Sequence, residues 1–277
     1  MELPLIQVDA FTRAPLRGNP AAVCVLDDWL DDARMQEIAV EMNLSETAFV
    51  IAGALAEGGE APIRWFTPGA EVDLCGHATL ASAHALWSSG RAEAARPIRF
   101  RSRVHGVLAC TRRPDGAITM DFPRDLPREA SPPPGLLEAL GVSRARGCWS
   151  SGAGYLLELE SPDAVARVAP DFGALASVDA PGVGVTARGG ASAVTPGARV
   201  ADFVSRYFAP RFGILEDPVT GSLHCALAPL WAARFGRDEL FARQVSRRGG
   251  ELELALRRDR VEITGHAVTV LRGVLTL

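Results

Sequence analysis

The chain has 277 residues, 48% of them hydrophobic and 22% charged, with a formal net charge of −4. That composition suits a globular protein of one large domain or two ordinary ones, and the charge gives no reason to expect nucleic acid or an anionic membrane as partner. All 29 basic residues are arginine, which excludes chemistry that needs a lysine: a Schiff base, covalently held pyridoxal phosphate or a phosphate-binding P-loop.

Five cysteines lie scattered without CxxC or zinc spacing, as expected of reduced thiols in a cytoplasmic protein. The opening Met1-Glu2-Leu3-Pro4-Leu5 lacks the charged and apolar regions of a secretory signal. No run approaches the roughly 18 apolar residues of a membrane span.

In chain order, Leu5 to Phe11 reads as a first strand. Arg17-Gly18-Asn19-Pro20 is a turn by its chemistry, and the apolar run Ala21 to Leu26 a second strand. Asp31 or Asp32 can cap a helix whose Met35, Ile38, Ala39 and Met42 recur at helical spacing. After the polar break Asn43-Leu44-Ser45-Glu46, strands are expected at Thr47 to Ile51 and Ile63 to Phe66. A turn at Thr67-Pro68-Gly69 then leads to Asp73-Leu74-Cys75-Gly76-His77, which opens a run of small apolar residues as far as Trp87, the composition of a helix buried all round.

Short strands follow at Ile98 to Ser102, Val107 to Thr111 and Ile118 to Phe122. The Pro- and Arg-rich segment Pro123 to Pro134 reads as a linker. Beyond it, strands are expected at Tyr155 to Leu159, Val183 to Thr186 and Val200 to Phe208, with a helix between Asp163 and Leu175. Asp217-Pro218-Val219-Thr220-Gly221-Ser222 opens a second apolar helix ending near Trp231, with Pro229 set to remove a backbone bond and bend it. Strands at Leu252 to Arg257, Glu262 to Thr264 and Thr269 to Leu277 close the chain.

Short strands with one long apolar helix per half predict an α+β fold of two similar halves, each a curved, barrel-like antiparallel sheet around its helix. The predicted domains are 1–122 and 135–277, with the last strand free to cross back to the first half.

Ionisable residues beside free helix N-termini suit the removal of a proton next to a carboxylate while the developing charge is held. Cys75 and His77 stand at one helix start, and Asp217, Thr220 and Ser222 at the other; Glu46 is a third candidate. Taken singly, each has a plainer reading. Glu46 can be a solvated strand residue, Cys75 a small buried hydrophobe, His77 a cap, and Asp217 an N-cap with Pro218 behind it.

Their combination resembles a known family. Asn19-Pro20-Ala21-Ala22-Val23, Leu44-Ser45-Glu46-Thr47-Ala48-Phe49, Arg64-Trp65-Phe66-Thr67-Pro68, Glu71 to Thr79 and Glu216 to Ser222 are similar to blocks of the PhzF-like family, isomerase and epimerase relatives from phenazine biosynthesis on the diaminopimelate epimerase fold. The likeness spans nearly the whole chain in the expected order. It implies two pseudo-symmetric domains with a site in the cleft between them, and a metal-free, cofactor-free acid/base isomerase, commonly a homodimer, acting on a small carboxylic acid. The substrate of the phenazine isomerase is trans-2,3-dihydro-3-hydroxyanthranilate.

Carried over residue by residue, the resemblance makes Glu46 the proton carrier, with His77 and Asp217 as its catalytic companions. Asn19, Ser45, Gly76, Gly221 and Ser222 fall on substrate-binding positions. The epimerase relatives use two cysteines, one per half. Cys75 matches the first, whereas the second is read as replaced by Asp217, which leaves Cys75 a structural or pocket-lining role. An amino-acid epimerase or racemase, with Glu46 in place of the missing thiol, stays open, as does a non-catalytic member that binds a metabolite or a protein.

Overall fold

The computed structural model describes residues 2–53, 55, 58–190 and 199–277. The chain divides into two compact units, Met1–Phe122 with Thr264–Leu277, and Pro123–Ile263. Among the described residues no helix is long and apolar enough to cross a membrane.

The first unit begins with β1 (Glu2–Ala10) and β2 (Asn19–Leu26), paired antiparallel. Gly18 is required in the connection: its φ is +66°, and a Cβ there would lie 2.0 Å from the Ala10 carbonyl oxygen. Helix α1 (Asp32–Met42), capped by Asp31 accepting the Arg34 N–H and closed by left-handed Asn43, crosses over to β3 (Glu46–Ile51), parallel to β2. Antiparallel β4 (Ala61–Phe66) and the short β5 (Glu71–Val72) lead into α2 (Gly76–Ser88). The unit continues through β6 (Ile98–Ser102), parallel to β4, and the antiparallel β7 (Gly106–Arg112) and β8 (Ile118–Pro123). The final strand of the chain, Ala267–Thr276, pairs antiparallel with β1.

Strand alternation divides this unit in two. Ala22, Cys24, Leu26, Phe49 and Phe66 pack with Met35, Ile38 and Ala39 of α1. The alternate residues, including Asn19 on β2 and Glu46 on β3, therefore point to the opposite face. Helix α2 buries ten of its thirteen residues, so its hydroxyls have to be satisfied internally. Thr79 and Ser82 donate to the carbonyls four residues back, Cys75 and Ala78, at 2.6 and 2.7 Å.

The second unit repeats this order. After β9 (Arg128–Glu129) and the single-turn α3 (Leu136–Ala139) come antiparallel β10 (Gly147–Ser151) and β11 (Gly154–Glu158). A crossover through α4 (Pro162–Arg167) and α5 (Phe172–Ser177) reaches β12 (Val183–Arg188), parallel to β11. Antiparallel β13 (Phe203–Ala209) and the short β14 (Ile214–Asp217) precede α6 (Gly221–Phe235). Then β15 (Glu239–Gln244) lies parallel to β13, β16 (Gly250–Arg257) is antiparallel to β15, and β17 (Arg260–Gly265) carries the chain over the unit boundary into β18, the final strand.

Three local expectations change. The helix expected between Asp163 and Leu175 is two helices, because Pro170 disfavours a helical residue before it; Ser161 and Asp171 cap them separately. The strand expected from Val200 starts at Phe203. The stretch from Pro123 read as a linker is built into the second unit, where Arg128 and Glu129 pair with Ser150 and Trp149 of β10.

Pro229 explains part of that attachment. It has no N–H to offer the carbonyl four residues earlier, that of Cys225, and the Asp125 N–H donates to this oxygen at 3.2 Å. Helix α6 runs unbroken past the proline to Phe235. In Pro229→Ala the new N–H competes for the Cys225 carbonyl. Amide exchange followed by NMR is expected to show faster exchange at Asp125, with helix content unchanged.

Candidate functional site

In the first unit, Asn19, Glu46, Cys75 and His77 come together where β2, β3 and α2 begin. Glu46 lies beside Ala21 in the parallel register, on the same face as Asn19. Its carboxylate is 13% exposed, and Oε2 lies 3.1 Å from His77 Nε2, an approach without the alignment of a hydrogen bond. On the other side of the ring, Nδ1 is 3.1 Å from Asn19 Nδ2 and 3.5 Å from Cys75 Sγ. Burial pushes the His77 pKa down to about 3, against a weaker opposing pull from its hydrogen bond with the Pro20 backbone.

A neutral ring carries one proton. The nitrogen turned toward the Glu46 carboxylate is Nε2, at 3.1 Å. At that separation a small rotation of either group aligns the two for a proton to pass. That suits a carboxylate that must take a proton and return it.

The site does not extend to every candidate by contact. Ser45 sits in the half-buried turn before β3. Gly76 and His77 form the first turn of α2, while Asp217, Gly221 and Ser222 belong to the second unit, where Asp217 ends β14 and Gly221 starts α6. Both helix starts lack a side-chain cap, whereas α1, α4 and α5 are each capped by an Asp or Ser. At α6 the natural capping residue, Thr220, turns its hydroxyl to Asp217 Oδ2 instead, at 2.5 Å. Neither N-cap residue thus uses its side chain on the first amides of its helix, an arrangement that suits an anion at the helix start.

Glu46, Cys75 and His77 also place three potential ligand atoms within 4.8 Å of one another. The Asn19 amide already fills the Nδ1 side of the ring. The donors address different nitrogens, with the thiol nearest Nδ1 and the carboxylate nearest Nε2, and this threading through the ring reads as a proton relay more than a metal cage.

Comparison with known proteins agrees with the geometry. The family described as phenazine biosynthesis-like protein (PhzC-PhzF) matches residues 8–273. An uncharacterised isomerase of Pseudomonas aeruginosa is 47% identical over 278 residues, and one of Halalkalibacterium halodurans 43% over 278, each match covering 100% of both chains. A crystal structure of a PhzF-family phenazine biosynthesis protein from Enterococcus faecalis matches with a TM-score of 0.90 at 41% identity, covering 100% of both chains. The chain belongs to the PhzF-like family.

In this PhzF-like chain the two units share a register that corrects one expectation. Glu71-Val72-Asp73-Leu74-Cys75-Gly76-His77 and Glu216-Asp217-Pro218-Val219-Thr220-Gly221-Ser222 both run from a short strand into the central helix. The counterpart of Cys75 is therefore Thr220, the residue before the helix, and not Asp217, which matches Val72. Each leading glutamate is gripped by an arginine on the neighbouring strand, Arg64 with its side chain 7% exposed and Arg206 11%. Arg64 takes Glu71 through Nε and Nη2 at 2.7 and 2.6 Å, and Arg206 takes Glu216 in the same way at 2.7 and 3.0 Å. These contacts hold the Glu71 carboxyl below the usual carboxylate range.

Each guanidinium lies over a phenylalanine two residues on, Phe66 or Phe208, and reaches a crossover helix as well. Arg64 bonds Asp32 at the start of α1, and Arg206 bonds the Val165, Ala166 and Val168 carbonyls at the end of α4. Sequence reasoning missed both arginines and also Gln244, whose partners lie 24 and 27 residues away.

Two outcomes follow from these contacts. Arg206→Met leaves Glu216 without its fork and three carbonyls without their donor, and is expected to cost roughly 2–4 kcal/mol in denaturant unfolding. The buried His77 and His224 take up no proton in the folded state until about pH 3 and 4, whereas in the unfolded chain they protonate near 6.5. Stability should therefore fall as pH drops from 6.5 toward 4, by up to about 1.4 kcal/mol per pH unit for each histidine. Urea midpoints across this range measure the slope, which should be shallower in His224→Gln.

Proposed function

We propose that this chain is a cofactor-independent acid/base isomerase that shifts a proton on a small carboxylic acid, with Glu46 as the proton carrier. The observation that carries this reading is the Glu46–His77 pair, a half-buried carboxylate 3.1 Å from an imidazole that burial keeps neutral. His77 shares the proton with Glu46 and polarises the group that becomes an enol, while Asn19 holds the ring. Ser45 and Gly76 line the site beside them. In the second unit, Asp217 is the further polar catalytic group, and the Gly221 and Ser222 amides orient the substrate carboxylate. The protein works in the cytoplasm as a homodimer, as the family resemblance implies; its five cysteines are buried thiols outside any disulfide, in keeping with a reducing compartment.

A two-thiol racemase is disfavoured by a specific observation. The residue at the second helix start that corresponds to Cys75 is Thr220, whose hydroxyl is already given to Asp217 and is no base near neutral pH. A non-catalytic metabolite binder has no need for a proton-sharing pair.

The test is deuterium uptake in D2O, followed by NMR, with trans-2,3-dihydro-3-hydroxyanthranilate and a panel of amino acids. Proton exchange on the ring carbon should fall by roughly 10²–10⁴-fold in Glu46→Gln and survive in Cys75→Ala. Turnover that persists in Glu46→Gln would refute the assignment of the base. Inversion of an amino acid, lost in Cys75→Ala, would favour the racemase.

A further inference from the structure

Gln244 is fully buried at the end of β15, and its amide makes three contacts with one short loop. Oε1 accepts the Thr220 N–H at 2.9 Å, while Nε2 donates to the Asp217 carbonyl at 2.7 Å and to Thr220 Oγ1 at 3.2 Å. The orientation of this amide is decided by its partners. A backbone N–H can only donate, so the oxygen must face Thr220 N; a carbonyl can only accept, so the nitrogen must face Asp217 O. Thr220 Oγ1 then receives a proton from Gln244, and its own proton is directed away from Gln244. The acceptor within reach is Asp217 Oδ2 at 2.5 Å.

The other unit acts as an internal control. There Ser102 donates to the Asp73 carbonyl at 3.3 Å, as Ser246 donates to the corresponding Pro218 carbonyl at 2.8 Å. That serine pin is common to both repeats and serves the fold. The glutamine clamp is present in the repeat that carries Asp217, so its placement follows the carboxylate and not the architecture.

We propose that Gln244 is a positioning residue that sets the direction of the Thr220–Asp217 hydrogen bond and so holds the Asp217 side chain as a proton acceptor. The inference rests on the reading of Asp217 as part of the proton-shifting site. A carboxylate that receives a hydroxyl proton is stabilised in its charged form. Asp217 thus stays an acceptor for a substrate hydroxyl or enol, and does not compete with Glu46 as an acid. The titratable group set opposite it in the β13–β14 register is Tyr207, whose phenol is pushed up to about 12 by burial and by Asp217 and stays neutral throughout the test range.

The experiment is a carboxyl titration of the full chain by ¹³C NMR, with the Asp217 signal assigned from Asp217→Asn. Gln244→Leu and Thr220→Val should each raise the Asp217 midpoint by about one pH unit, and Thr220→Ser should restore it. If the leucine variant does not fold, Gln244→Met, unbranched and of similar length, is read in its place. A Gln244 variant that folds and leaves the midpoint unchanged overturns the inference, even if Thr220→Val moves it. The activity of Asp217→Asn is a separate readout: full turnover there removes Asp217 from the proposed mechanism without touching the titration result.

Discussion

Two arginines hold the chain at the points where it turns from strand into central helix. Arg64 grips Glu71 and Arg206 grips Glu216, each through the Nε and Nη2 donors of one guanidinium edge, a few residues before a helix start. A central helix made of small apolar residues has little polar anchorage of its own. Its N-terminus can present free amides to a ligand only if the approach of the chain is fixed by something else. A planar fork against a carboxylate supplies direction as well as attraction, which a lysine ammonium would not. Further donors to a crossover helix tie the same point to the outer layer.

That anchorage places the chemistry. With α2 fixed, His77 is drawn under the sheet at the end where β2 and β3 open, and period-two alternation sends Asn19 and Glu46 to meet it. Burial then decides the charge state, because desolvation outweighs the Pro20 hydrogen bond and keeps the ring neutral. A neutral ring 3.1 Å from a carboxylate is an arrangement that suits reversible proton transfer.

The two repeats have kept the same frame and diverged at the helix start. One has Cys75 with its sulfur 3.5 Å from His77; the other has Thr220 with its hydroxyl on Asp217. Thr79 and His224 both bond the carbonyl four residues back, and Ser102 and Ser246 both pin the approach. Among the side chains that differ are those that carry protons: Cys75 and His77 stand against Thr220 and Ser222, and Asp217 against Val72. Such a pattern is expected when one supersecondary unit supplies the scaffold twice and the reacting groups change.

Much of this was legible in the amino-acid sequence, for local reasons. The strand Ile98–Ser102 and the helix from Gly76 followed from periodicity and helix-start chemistry, and Glu46, His77 and Asp217 stood out as ionisable residues at breaks in apolar runs. The polar β10 and β15 did not, since their strand character comes from partners and not from composition. Nor did the fate of the Pro123 stretch, which depends on a carbonyl that Pro229 leaves open about a hundred residues later. The sequence alone determined which residues have proton chemistry and where helices and strands begin. Only the tertiary structure decided that Thr220 is the counterpart of Cys75, that two arginines brace the helix starts and that Gln244 orients Asp217. The arginine and glutamine contacts join separate strands, and the counterpart of Cys75 is set by where each central helix begins; no local pattern encodes either.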